Sequence, residues 1–125
     1  MDDLYRELIL DHYKDPRNFG SLDSPDASHE EDNPLCGDRI RMEIKLSNDK
    51  LSAVRFSGEG CAISMASASL LTEAVDGKKI KDLQRLDKDD IVSLLGNPIL
   101  TPTRLKCALL PLEVLQRAIQ RTTNG

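Results

Sequence analysis

Residues 39–46 alternate without a slip: Ile40, Met42, Ile44 and Leu46 are apolar, and Arg41, Glu43 and Lys45 between them are charged. A period of two sends the first set to one face of a strand and the second to the other. Ser47-Asn48-Asp49-Lys50 supplies turn chemistry, and residues 51–57 return through Val54 and Phe56. The chain therefore contains an antiparallel hairpin with one wet face and one face that other elements must cover.

The covering elements read as helices. Leu4, Leu8 and Ile9 give residues 4–13 an apolar stripe, Asp2 and Asp3 suit the positive end of the dipole, and Pro16 stops the helix. Residues 18–33 are rich in Gly, Ser, Asp, Asn and Pro and read as a long loop that shapes or covers something, with a third strand sought around Ser21 and Leu22. Gly58-Glu59-Gly60 breaks the second strand, and residues 62–75 follow as a helix of small residues ended by Gly77. Asp87 is the N-cap of a short helix over 88–95, which Gly96 ends. Thr101-Pro102 opens a last helical region to about Arg121, in which Pro111 predicts a kink or the start of a second helix. The result is a single α+β domain over residues 1–125: a small antiparallel sheet of about three strands with helices packed on one face.

Bulk properties exclude several classes of function. With 3% aromatic residues and no Trp, the core must be built from Leu, Ile, Val and Ala. A formal charge of −4 argues against a nucleic-acid partner. No apolar run approaches the roughly 20 residues that span a bilayer. The acidic N-terminus is neither a secretory signal nor a transit peptide, so the expected address is the cytoplasm, where thiols stay reduced.

In that compartment three cysteines are metal ligands, nucleophiles or core filler rather than a disulfide framework. Each falls at a seam between elements. Cys36 precedes the first strand of the hairpin and Cys61 follows the second, so antiparallel pairing brings the two together. Glycines flank both, which suits tight turns and close backbone approach better than core packing. Cys107 must arrive from the last helical region, and the pattern alone does not bring it. Asp38, two residues after Cys36, shares its face in an extended chain, although a solvated aspartate at a strand end explains that spacing better on its own.

If all four converge, three thiolates and a carboxylate suit tetrahedral zinc or an iron–sulfur cluster. The carboxylate is the labile member, in keeping with a site that releases what it holds. Free amides at a helix N-terminus favour the Cys61 thiolate, and Lys106 and Arg104 do the same for Cys107. Either could carry sulfur as a persulfide, with Cys107 the preferred acceptor and Cys61 the next. His12, on the first helix, and His29, in an acidic loop, read as ordinary surface or half-buried residues rather than ligands.

The stretches Ile9-Leu10-Asp11-His12-Tyr13-Lys14-Asp15-Pro16-Arg17-Asn18, Asn33-Pro34-Leu35-Cys36-Gly37-Asp38, Gly60-Cys61-Ala62-Ile63-Ser64 and Lys106-Cys107-Ala108 carry a resemblance along nearly the whole chain. It resembles the NifU N-terminal/IscU/SufU family of iron–sulfur cluster assembly proteins. The resemblance implies one site of Cys36, Asp38, Cys61 and Cys107, holding zinc or a binuclear iron–sulfur cluster. It also implies a cysteine desulfurase as sulfur donor and apo iron–sulfur proteins as recipients.

Within that family the wording around Cys61 and Cys107 is similar to SufU. Lys106 stands where the IscU branch has a histidine, and Leu100-Thr101-Pro102-Thr103-Arg104 departs from the chaperone-recognition segment of IscU, which argues against a dedicated Hsp70-type partner. Cys61 and Cys107 nevertheless lie only 46 positions apart, the IscU spacing, without the insertion of SufU. Three readings follow: a zinc-dependent sulfur acceptor, a scaffold that builds and passes on a binuclear cluster, and a structural zinc module used only for docking. Lys106, a cation that favours a neighbouring thiolate, tilts the balance to the first.

Overall fold

The computed structural model describes residues 3–34 and 37–123. The hairpin is present as β2 (Asp38–Ser47) and β3 (Lys50–Glu59), paired from Arg39 opposite Glu59 to Ser47 opposite Lys50. Asn48 and Asp49 close it at φ of 53° and 67°, the left-handed pair whose twist matches that of the flanking strands. Ile40, Met42 and Ile44 are fully buried, while Arg41, Glu43 and Lys45 keep contact with solvent.

The strand does not break at Gly58, as the sequence suggests. β3 runs on to Glu59, with Gly58 opposite Ile40 at φ 136°. A Cβ at this position would collide with the Arg39 carbonyl, so glycine is what allows the ladder to continue.

The third strand is β1 (Ala27–Asn33), which pairs with β2 from Ala27 opposite Ile44 to Asn33 opposite Asp38. This corrects the expectation of a loop through residue 33 and a strand near Ser21 and Leu22. Leu22 is held instead by a side chain, its N–H donating to Glu43 Oε1 at 2.7 Å. β1 is an edge strand with a polar inner side: Glu31 pairs with Arg117, and His29 Nδ1 accepts from Arg121 Nε at 3.2 Å. Sheet order is β1-β2-β3.

The helices are α1 (Asp3–Lys14), α2 (Ala62–Val75), α3 (Ile80–Leu83), α4 (Lys88–Leu94) and α5 (Pro102–Thr123). α5 lies across β1 and β2, α2 packs on β3 and on α5, and α1 rests on α2. Enclosed in this way, α2 is buried nearly all round, and its small residues allow the close approach; the Ser67 hydroxyl donates to the Ala108 carbonyl at 2.6 Å. The cap of α4 is as expected, Asp87 and Asp90 forming a reciprocal capping box. α5 is one helix through Pro111 rather than two. Cys107, Ala108, Leu110, Leu112, Val114 and Leu115 are buried on both sides of the proline, and that packing outweighs the missing backbone donor. Among the described residues no helix is long and apolar enough to cross a membrane.

Candidate metal and sulfur site

The hairpin builds the first part of the site. Pairing of Arg39 with Glu59 sets Asp38, the first residue of β2, beside the chain entering α2. Cys61 is the N-cap of α2, with extended backbone (φ −71°, ψ 168°), and its side chain makes no capping bond. Its N–H donates instead to Asp38 Oδ1 at 2.9 Å, while Asp38 Oδ2 lies 3.9 Å from Cys61 Sγ. Asp38 is only 1% exposed, so this is no solvated strand end. It ties the start of one strand to the helix that follows the other.

Cys107 completes the group from α5, which crosses the sheet at this end. One ligand atom each of Asp38, Cys61 and Cys107 lie within 4.8 Å of one another. Cys61 is a free, exposed thiol, whereas Cys107 is 2% exposed and disulfide-bonded, and so enters metal or sulfur chemistry only once reduced. The Asn33 side-chain amide approaches Cys107 Sγ at 4.0 Å. The two sulfurs face a cleft of about 400 Å³ whose apolar walls include Ile9 and Leu10 of α1 and Ile63 of α2. Cys36 lies outside the described residues.

Three neighbours of the site have roles that spacing did not assign. Ser64, fully buried one turn into α2, donates to the Cys61 carbonyl at 3.1 Å and sits 3.8 Å from Cys61 Sγ. Gly60 is the gap through which Asp38 reaches Cys61: a Cβ there would collide with the Asp38 carboxylate and the Ser64 hydroxyl. Asn33 reaches Cys107 from the strand that the sequence reading treated as loop. A serine three residues past a helix-capping cysteine was the one available signal, since it returns to the cap.

Neither histidine is in the group of Asp38, Cys61 and Cys107, and His12, read from sequence as a surface or half-buried residue, is 5% exposed. Its Nδ1 lies 2.7 Å from Ser69 Oγ, which also accepts the Arg17 N–H at 2.8 Å. With one proton and two lone pairs, the hydroxyl can serve either tautomer of His12 while it accepts from Arg17. Burial, with the Arg17 charge second, pushes the His12 pKa below its ordinary value, against the opposing pull of Glu73, Asp11 and Asp15.

A compact group of one buried carboxylate, one buried sulfur and one exposed thiol at the seam of a three-stranded sheet and two helices defines a small sulfur- and metal-handling domain. The chain belongs to the NifU-like N-terminal domain family, whose model matches residues 4–124. It is 39% identical to the zinc-dependent sulfurtransferase SufU of Bacillus subtilis (strain 168), a match covering 100% of this chain and 95% of that protein. It is 35% identical to the iron–sulfur cluster assembly scaffold protein IscU of Escherichia coli (strain K12), covering 92% and 91%. The crystal structure of a nitrogen-fixing NifU-like protein (N-terminal) from Brucella abortus superposes with a TM-score of 0.80 over 99% of this chain and 97% of that one; at 22% identity it speaks for the fold alone.

Proposed function

We propose that this chain accepts sulfur from a cysteine desulfurase, for iron–sulfur cluster assembly, at a site formed by Cys36, Asp38, Cys61 and Cys107. The observation that carries the reading is the convergence of Asp38, Cys61 and Cys107 within 4.8 Å, with one sulfur open to a partner. Similarity to a zinc-dependent sulfurtransferase over the full chain supports it.

Zinc fits the donor set. Cysteine sulfur and carboxylate oxygen are ordinary zinc donors, and Cys36, two residues before Asp38, is the fourth of the set. When bound, zinc keeps its cysteines as thiolates at neutral pH. The reduced site belongs in a reducing compartment such as the cytoplasm.

Transfer needs no external oxidant. A Cys61 thiolate attacks the terminal sulfur of the donor persulfide, the donor S–S bond breaks, and a persulfide forms on Cys61. The donor cysteine leaves as a thiolate with the electron pair. The sequence reading prefers Cys107 as acceptor with Cys61 next; exposure supports the opposite order, since Cys61 is reached without rearrangement and Cys107 at 2% exposure is not. Cys107 then serves as the second sulfur position in the same cleft.

A scaffold reading, with a binuclear iron–sulfur cluster as cargo for apo-proteins, has its own support in chain length. The match to SufU spreads over 141 aligned positions against 125 residues here, so this chain lacks a segment that SufU has; the match to IscU spans 119.

The test is persulfide mapping by mass spectrometry after incubation with a desulfurase and cysteine. The wild type and Cys107→Ser gain one sulfur atom at Cys61, and Cys61→Ser loses most first-turnover labelling. Unchanged labelling of Cys61→Ser contradicts the assigned order; no label on the wild type contradicts sulfur acceptance.

A further inference from the structure

The cleft in front of Cys61 and Cys107 carries two arginines at its rim. α1 contributes Arg6 to its rim and the first turn of α5 contributes Arg104, while among the described residues no carboxylate lines it. In a chain with 21 acidic and 17 basic residues, composition alone does not lead one to expect two cations and no anion around one apolar cleft. Both side chains are exposed. Among the described residues Arg17, Arg39, Arg41 and Arg117 have carboxylate partners, and Arg6 and Arg104, like Arg55, Arg85 and Arg121, have none. The first turns of α2 and α5, which open onto the same cleft, also hold no acidic residue. Asp38, the nearest carboxylate, has Oδ1 engaged by the Cys61 N–H.

We infer that Arg6 and Arg104 select the sulfur donor: the cleft receives an apolar peptide segment of the partner protein whose tip carries the persulfide. This rests on the sulfur-acceptor reading and names the residues that recognise the donor. During transfer, negative charge moves from Cys61 Sγ to the departing donor thiolate, which forms at the mouth of the cleft. Two unpaired guanidinium groups there attract the persulfide, which is largely ionised at neutral pH; its protonated form reacts, the proton staying on the transferred sulfur, and the guanidinium groups face the thiolate that leaves. The apolar walls from Ile9, Leu10 and Ile63 exclude water and strengthen that attraction. Arg6 and Arg104 are positioning residues, since the reacting atoms belong to the cysteines.

Two measurements on the full chain test the inference, with Arg6→Gln/Arg104→Gln compared with the wild type and with the charge-keeping Arg6→Lys/Arg104→Lys. In desulfurase-driven transfer, the glutamine pair raises KM for the desulfurase about tenfold with kcat little changed, and flattens the salt dependence. The lysine pair recovers most of the loss. In alkylation of Cys61, the ratio of the iodoacetate rate to the iodoacetamide rate falls in the glutamine pair, because only the former probe is anionic. A KM and salt profile equal to wild type overturns the inference, whatever the alkylation ratio, because the donor then docks elsewhere. An unchanged alkylation ratio beside a raised KM also overturns it, since the cleft is then not what reads the charge. If the wild type takes no sulfur from the desulfurase, the acceptor reading fails and the inference falls with it; an unaltered ratio of probes separates the two failures.

Discussion

Gly60 shows how much of this site depends on one missing atom. Asp38 and Ser64 are 1% and 0% exposed and meet across the space where a Cβ would stand, so neither can step aside cheaply. Gly60→Ala is therefore expected to cost about 1–3 kcal/mol, the range for overpacking a close-packed interior. It should also break the hydrogen bond from Cys61 N–H to Asp38. Denaturant unfolding with and without added zinc checks both parts: stability falls without metal, and the gain on adding zinc shrinks. A variant with wild-type stability and a wild-type zinc response contradicts this geometry. At this scale the sequence was informative about identity and silent about role. Cys61 and Asp38 stood out by type and position. Gly60 read as a strand breaker and Ser64 as helix filler, because their parts depend on a contact between β2 and α2 that no local pattern encodes.

Among the elements, α1 has the simplest attachment and the clearest pH signature. It rests on α2, and His12 is joined there to Ser69, which also takes the Arg17 N–H. Burial lowers the His12 pKa from the ordinary 6.5, so the unfolded chain binds this proton more readily than the folded one. The sign follows: the contribution is complete above pH 6.5 and is lost as pH falls below it toward the depressed folded value. Replacing His12 by Gln should remove that part of the slope from a plot of unfolding free energy against pH, leaving the carboxylate contribution at lower pH. A slope between pH 6.5 and 5 that is the same in both proteins contradicts the assignment.

Elements were legible where hydrophobic periodicity existed. β2, β3, α2 and the capped α4 follow from alternation, small-residue content and an N-cap. β1 was missed because Ala27, His29 and Glu31 turn polar or small side chains toward α5, where Arg117 and Arg121 meet them. A strand held by ion pairs carries no apolar period. For α5, Pro111 predicted a kink or a second helix, and with burial on both sides of it the chain forms one helix. Seven residues of strand thus escaped a reading that weighs local preference alone.

For the whole molecule, the legible part was the topological argument that a hairpin brings its two ends together. It was made for Cys36 and Cys61, of which Cys36 lies outside the described residues; Asp38, at the start of β2, is found beside Cys61. The arrival of Cys107 was left open, because it depends on α5 lying across the sheet, a long-range packing result set by the buried faces of α2 and α5. The cleft has the same origin: α1, α2 and α5 meet there, and each contributes residues that look ordinary in sequence. Fold and site together describe a domain that gathers a carboxylate and two sulfurs able to hold a metal at one corner of its sheet and leaves one sulfur exposed.

The most direct test of that account is the metal content of the protein, isolated without affinity tags or chelators, combined with desulfurase turnover in its presence and absence. The account predicts one tightly bound zinc per chain and strong stimulation of the desulfurase, both reduced by Cys61→Ser. Bound zinc with no effect on the desulfurase, and no transfer of a cluster to an apo-ferredoxin, would contradict it and leave a structural zinc module.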